Sequence, residues 1–162
     1  METAETATDH ALVRHILATI AYRAAKPLRD VPEGFAGFRA AERARTPVEI
    51  VSHMGDLVEW SLTAVQGRSV WRATEPLPWD AAVARFFAAL AALDAYLASG
   101  AEVHATFPRL LQGPLADALT HVGQLSLLRG LAGAPVRGEN YVRAAVEIGR
   151  VTADQAPPVL EF

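Results

Sequence analysis

Residues 110–128 read LLQGPLADALTHVGQLSLL, and the only formal charge among them is on Asp117. Leucine and valine side chains spread over most of the surface this stretch would have as a helix, and small residues occupy much of the remainder. A helix that is apolar nearly all round is buried by its neighbours. The stretch therefore predicts a buried helix of an all-α protein.

Three further segments have helical periodicity, and strand-like alternation is not found along the chain. The second of them starts at Thr46-Pro47-Val48-Glu49, which combines an N-cap threonine, proline at the first helical position and glutamate at the third. We expect the four helices at residues 8–26, 46–66, 80–99 and 114–131. The fold class predicted is a four-helix bundle.

Two long connections separate the helices. The first, residues 27–45, contains Phe35 and Phe38, which we expect to pack onto the bundle; a mobile lid is the alternative. The second, residues 67–79, has about thirteen residues and can extend over roughly 40 Å, whereas a twenty-residue helix spans about 30 Å. A long crossover with helices 2 and 3 parallel is therefore permitted, although not required.

Composition indicates one domain over residues 1–162, with a core at about 8–135 and a tail at 136–162 that carries a short helix near 141–148. The net charge of −3 gives no reason to expect a nucleic-acid surface. The polar N-terminus does not resemble a secretory signal, and no uncharged apolar stretch is long enough for a membrane span. We expect a cytoplasmic protein with no membrane partner.

Two predicted helices direct polar groups toward the interior. Asp117, His121 and Gln124 lie within an arc of about 60° on the last helix, and His53 lies in the apolar seam of the second helix with Ile50. Two imidazole nitrogens and a carboxylate suit Zn²⁺, Fe²⁺ or Ni²⁺. We predict a metal site of His53, Asp117 and His121. The alternative is that Asp117 simply hydrogen-bonds His121 inside the core.

Two motifs carry a family resemblance. Residues 117–125, DALTHVGQL, and residues 45–57, RTPVEIVSHMGDL, are similar to the last and second helices of the DinB-like superfamily. The resemblance implies a four-helix bundle with a long crossover between helices 2 and 3. It also implies metal ligation by His53 and His121, and it places Asp117 where the family usually has histidine. Gln124 is expected to support the site or to pack rather than to ligate.

The resemblance further implies a metal-dependent enzyme, such as a transferase or isomerase that acts on a small molecule with a low-molecular-weight thiol. The chain has no cysteine, which fits a thiol supplied by a cofactor and equally fits no thiol chemistry. Catalytic and cofactor-binding residues are not assigned. The competing function is a non-catalytic bundle that binds a partner or a small apolar ligand. We expect a homodimer in either case, and we expect Trp60, Trp71 and Trp79 to be packing residues, with Trp60 also near the pocket.

Overall fold

The computed structural model describes residues 4–162, with side chains from residue 9 onward. Its helices are α1 (Ala4–Leu28), α2 (Pro47–Val65), α3 (Trp79–Ala98), the short α4 (Phe107–Leu110) and α5 (Ala116–Leu131). Within the described residues no strand forms, although Glu139 and Glu161 make an isolated antiparallel β-bridge. The prediction of an all-α bundle with four long helices is confirmed.

Several helix boundaries differ from the predicted ones, and α5 begins at Ala116 instead of residue 114. Helix α1 begins earlier than predicted and ends one residue beyond Pro27, so proline stands in its last turn instead of stopping it. Helix α3 begins at Trp79, and Asp80 lies in the first turn instead of capping it. A carboxylate is favourable there because it faces the positive end of the helix dipole. The tail forms only a 3₁₀ turn at Tyr141–Arg143, so the predicted helix at 141–148 is wrong.

Contacts between helices establish their directions. Arg85, near the start of α3, contacts the first half of α2, and the N–H of His104, beyond the end of α3, donates to Val65 O at the end of α2 over 2.9 Å. Helices α2 and α3 are therefore parallel, and the connection between them retraces the length of the bundle. Helix α5 is antiparallel to α2, because Ile50 shares a cavity with Leu128 while Leu57 shares another with Pro114.

A partly buried arginine, Arg85, joins α2 to α3. The Arg85 guanidinium donates to Asp56 Oδ1 over 2.7 Å and to Glu59 Oε1 and Oε2 over 2.8 and 2.7 Å. Charge-assisted bonds of this kind are the strong ones in proteins. Gly55 makes the approach possible, since a Cβ atom there would lie 3.0 Å from Arg85 Nη1. Asp56 is buried in this pairing.

Helix α3 is long and apolar enough to cross a membrane by length and composition alone. Of the window that meets this criterion, 44% is buried inside the bundle. The helix also places Arg85 against α2 and Asp94 against Arg14 of α1, over 2.8 Å. These contacts are those of a core helix in a bundle.

The first connection docks onto the bundle, as predicted. Phe35 is buried, and its ring meets Trp79 edge-on with 5.6 Å between ring centroids. Phe38 is partly buried against the same core. Arg129 of α5 donates to the carbonyl oxygens of Pro27 and Arg29 over 3.2 and 2.8 Å. The start of the connection is thereby attached to the end of α5.

The tail folds back over the end of α1. The Tyr22 hydroxyl donates to Glu139 Oε1 over 2.6 Å, and Lys26 Nζ binds Glu139 Oε2 and Glu161 Oε1 over 2.8 and 2.7 Å. The N–H of Asn140 donates to Leu160 O over 3.0 Å. Backbone pairing therefore joins residues 138–140, just before the predicted helix, to residues 160–162 at the other end of the tail.

The capping box at the start of α2 yields a stability prediction. Thr46 Oγ1 accepts from the N–H of Glu49, and the Glu49 side chain accepts from the N–H of Thr46. Thr46→Ala should lower the free energy of unfolding by about 1 kcal/mol, measured by urea denaturation. Thr106→Ala is the matched control, because Thr106 occupies an N-cap without a side-chain capping bond. Equal losses in the two variants would contradict the role given to Thr46.

The tail contact predicts a dependence of stability on alkaline pH. Burial, and then the hydrogen bond to Glu139, raise the pKa of Tyr22 well above its ordinary value of 10.0. The folded protein holds this proton more tightly than the unfolded chain, so the stabilisation is complete below pH 10 and is lost as the pH rises above it. Tyr22→Phe should reduce the fall in unfolding free energy between about pH 9 and 11.

The control for Tyr22 is Tyr96→Phe. Tyr96 donates to the backbone oxygen of Glu102 at the surface, so its loss should leave the alkaline dependence as it is in the parent protein. A fall in stability that persists in Tyr22→Phe would show that another group causes it.

Candidate metal centre

His53 reaches the site from α2. The capping box at Thr46 sets where this helix begins, and His53 lies two turns further on, where α2 packs against α5. Its side chain is 22% exposed. The ring meets the His121 ring edge-on, with 5.1 Å between centroids. The His53 side chain thus points toward α5, as its place in the apolar seam of the second helix predicted.

Asp117 and His121 lie one turn apart on α5. A π-helical turn at Leu111–Leu115, which contains Pro114, joins α4 to α5 immediately before them. Proline has no N–H to continue an α-helical ladder, and the wider turn absorbs the break. Such turns are frequent at functional sites because they shift the faces of the helix that follows. Here the turn precedes Asp117 by only two residues.

The potential ligand atoms converge. His53 Nε2 lies 3.3 Å from Asp117 Oδ2, and His121 Nε2 lies 3.4 Å from Asp117 Oδ1. All three residues offer ligand atoms within 4.8 Å of one another. Two atoms that each lie about 2.1 Å from one Zn²⁺ at the tetrahedral angle are about 3.4 Å apart. Both distances to Asp117 therefore match the spacing of ligand atoms that share one ion.

Direct ion pairing fits the same distances less well. Charge-assisted N–H···O⁻ bonds are usually about 2.7–2.9 Å long, which is shorter than both contacts of the Asp117 carboxylate. Each oxygen of Asp117 instead faces a different imidazole. The carboxylate is placed between the two rings rather than committed to one of them.

Gln124 orients His121. Its Oε1 lies 2.7 Å from His121 Nδ1, and because an amide oxygen only accepts, Nδ1 is the nitrogen that carries the proton. The Nε2 lone pair then faces Asp117 and His53, as a metal-binding imidazole requires. Such partners fix the tautomer and orientation of a ligating histidine. This agrees with the supporting role expected of Gln124.

Exposure corrects one expectation. The His121 side chain is 8% exposed, but that of Asp117 is 44% exposed, and Gln124 is exposed as well. The predicted buried polar stripe is thus wrong for these two residues, because no helix of the described residues covers this side of α5. The observation that favours a metal site is the convergence of the potential ligand atoms. The half-exposed carboxylate leaves this site accessible.

Two cavities flank the trio formed by His53, Asp117 and His121, between α2 and α5. The Arg45 cavity has a volume of about 430 Å³; its polar lining is Arg45, His121 and Gln124, and its apolar lining is Ala40, Ala44, Ile50, Leu127, Leu128 and Leu131. The Trp60 cavity has a volume of about 610 Å³ and is lined by residues that include Leu57, Trp60, Trp71, Pro114, Asp117 and Thr120. The two cavities adjoin the trio at different residues, since His121 borders the Arg45 cavity and Asp117 the Trp60 cavity.

Sequence reasoning missed Trp71 and Arg45. Trp71 is half-exposed instead of packed, and its ring lies 5.9 Å from that of His53. Both residues stand in connections, where no periodicity predicts direction. Trp60 borders the pocket as expected, and Trp79 packs on Phe35.

Comparisons with protein-family models, with curated proteins and with solved structures find no match to this chain.

The hydrogen bond from His121 to Gln124 predicts an effect on metal affinity. Gln124→Leu removes the acceptor that holds the ring and should weaken Zn²⁺ binding about 10–100-fold, measured by competition with a chelating dye. Gln112→Leu is the matched control, because Gln112 is exposed at the Trp60 cavity and no contact joins it to either histidine. Unchanged affinity in Gln124→Leu would contradict the orienting role.

Proposed function

We propose that the protein is a metal-dependent enzyme of the DinB-like type, which binds one divalent cation through His53, Asp117 and His121. The observation that carries this proposal is the convergence of three ligand atoms from two helices within 4.8 Å. The motifs around residues 45–57 and 117–125 support it, as does the crossover between α2 and α3, which accords with that family's bundle.

The donor set limits the metal. Two nitrogens and one carboxylate oxygen suit Zn²⁺, Fe²⁺ or Ni²⁺, and three protein ligands leave a position for water or substrate. Such a cation acts as a Lewis acid that lowers the pKa of a bound water or thiol. The role of Gln124 is to hold the His121 ring, and the role of Asp117 is to hold negative charge between the two imidazoles.

The reaction class we propose is transfer or isomerisation of a small molecule with a low-molecular-weight thiol. The Arg45 and Trp60 cavities support it, because they border the trio from opposite directions. Two reactants can therefore reach one centre without sharing a cavity. The chain has no cysteine, so a thiol in this reaction would come from a cofactor.

Metal content tests the proposal. Protein purified without an affinity tag should contain a divalent metal near one equivalent, and His53→Ala and His121→Ala should each lose most of it, as measured by elemental analysis. His104→Ala is the matched control, because His104 is half-exposed in the connection after α3 and lies outside the trio. Chelator should also lower the melting temperature, since bound metal stabilises the folded state.

Metal content and thermal melting can also contradict the proposal. Metal that is absent, or retained by both histidine variants, would end the proposal, and a melt insensitive to chelator would favour the non-catalytic bundle.

A further inference from the structure

We propose that the Arg45 cavity binds the substrate of this enzyme, and that the substrate is an apolar molecule with one anionic group that pairs with Arg45. The inference rests on the proposed function, whose metal ligand His121 forms part of the cavity wall.

The lining is apolar apart from three side chains. Six of the nine lining residues are alanine, leucine or isoleucine. Of the polar residues, His121 and Gln124 bond each other over 2.7 Å. The hydrogen-bonding capacity of their facing atoms is therefore used within the protein. Arg45 remains as the one charged group of the lining.

Arg45 has no partner of its own. Within the described part of the chain no ion pair or hydrogen bond engages its guanidinium. The neighbouring acid Glu49 is committed elsewhere: it binds the N–H and hydroxyl of Thr46 over 2.6 and 2.9 Å and lies 3.5 Å from Arg39 Nη2. Other arginines that face the bundle are paired, such as Arg85 with Asp56 and Glu59. Arg45 thus differs from these arginines in that its charge stays unpaired beside the cavity.

The backbone around Arg45 is well positioned to present a positive charge. Arg45 directly precedes Thr46, whose capping box orders the start of α2. Arginine binds carboxylate or phosphate with two parallel hydrogen bonds.

The exposed leucines indicate the rest of the ligand. Leu127 and Leu131 border the cavity and are 65% and 57% exposed. Covering apolar surface releases about 25 cal/mol per Å², so an alkyl or aryl group in the cavity gains from both side chains. A volume of about 430 Å³ falls in the ordinary range of small-molecule sites, about 300–1,000 Å³. A medium-length acyl or aryl chain fits such a space.

Calorimetric titration of the metal-loaded protein tests the inference with three probes of equal chain length: octanoate, octyl phosphate and the uncharged octanamide. We expect the anions to bind more tightly than the amide, and Arg45→Gln to weaken anion binding about tenfold or more while changing amide binding less than twofold. Comparison of octanoate with octyl phosphate identifies which anionic group is preferred.

Arg43→Gln is the matched control, since Arg43 is exposed two residues away and does not line the cavity. It should bind all three probes as the parent protein does. Failure of octanoate and octyl phosphate to bind, equal binding of octanamide, or equal anion affinity in Arg45→Gln would overturn the inference.

Metal content of the same preparations separates this inference from the proposed function. Normal metal content with anion binding that is insensitive to Arg45→Gln overturns the substrate assignment alone. Anion binding that depends on Arg45 in protein without metal, whether as purified or after chelation, supports the cavity assignment, and absence of metal as purified counts against the proposed enzyme.

Discussion

The antiparallel contact of α2 with α5 is the constraint on which the site depends. It places His53 opposite Asp117 and His121, and a shift of either helix by one turn, about 5.4 Å, would separate them. Two arginines hold these helices in place through their other neighbours. Arg85 ties α2 to α3 through two carboxylates, and Arg129 ties the end of α5 to the backbone that follows α1.

The site lies at the edge of the bundle rather than in its centre. His121 is buried and oriented by Gln124, whereas Asp117 is half-exposed. A buried, oriented imidazole beside an accessible carboxylate suits the proposed metal centre, which would have to hold its geometry and still admit a reactant. The cavities on either side follow from the same arrangement, because no helix of the described part of the chain covers the outer face of α5 and the two connections supply Arg45 and Trp71 instead.

The parallel arrangement of α2 and α3 has a second consequence. It requires a connection that runs the length of the bundle, and this connection brings Trp71 to the rim of the site. The connection is held in part by Asp56, whose Oδ2 accepts from the N–H of Thr74 over 3.2 Å. The same carboxylate binds Arg85. One acidic side chain therefore fixes both the neighbouring helix and the segment that leads to it.

Local features were readable from the sequence, because they depend on residues within about four positions of each other. The capping box at Thr46 and the one-turn spacing of Asp117 and His121 are of this kind, whereas His53 was added to them from its place in an apolar seam and from the family resemblance. Tertiary structure alone decided that Asp117 is half-exposed, that Asp56 is buried by Arg85, and that residues 138–140 of the tail pair with residues 160–162. Each of these depends on contacts between residues far apart in the chain. Helix direction and packing set these contacts, and local periodicity does not encode them.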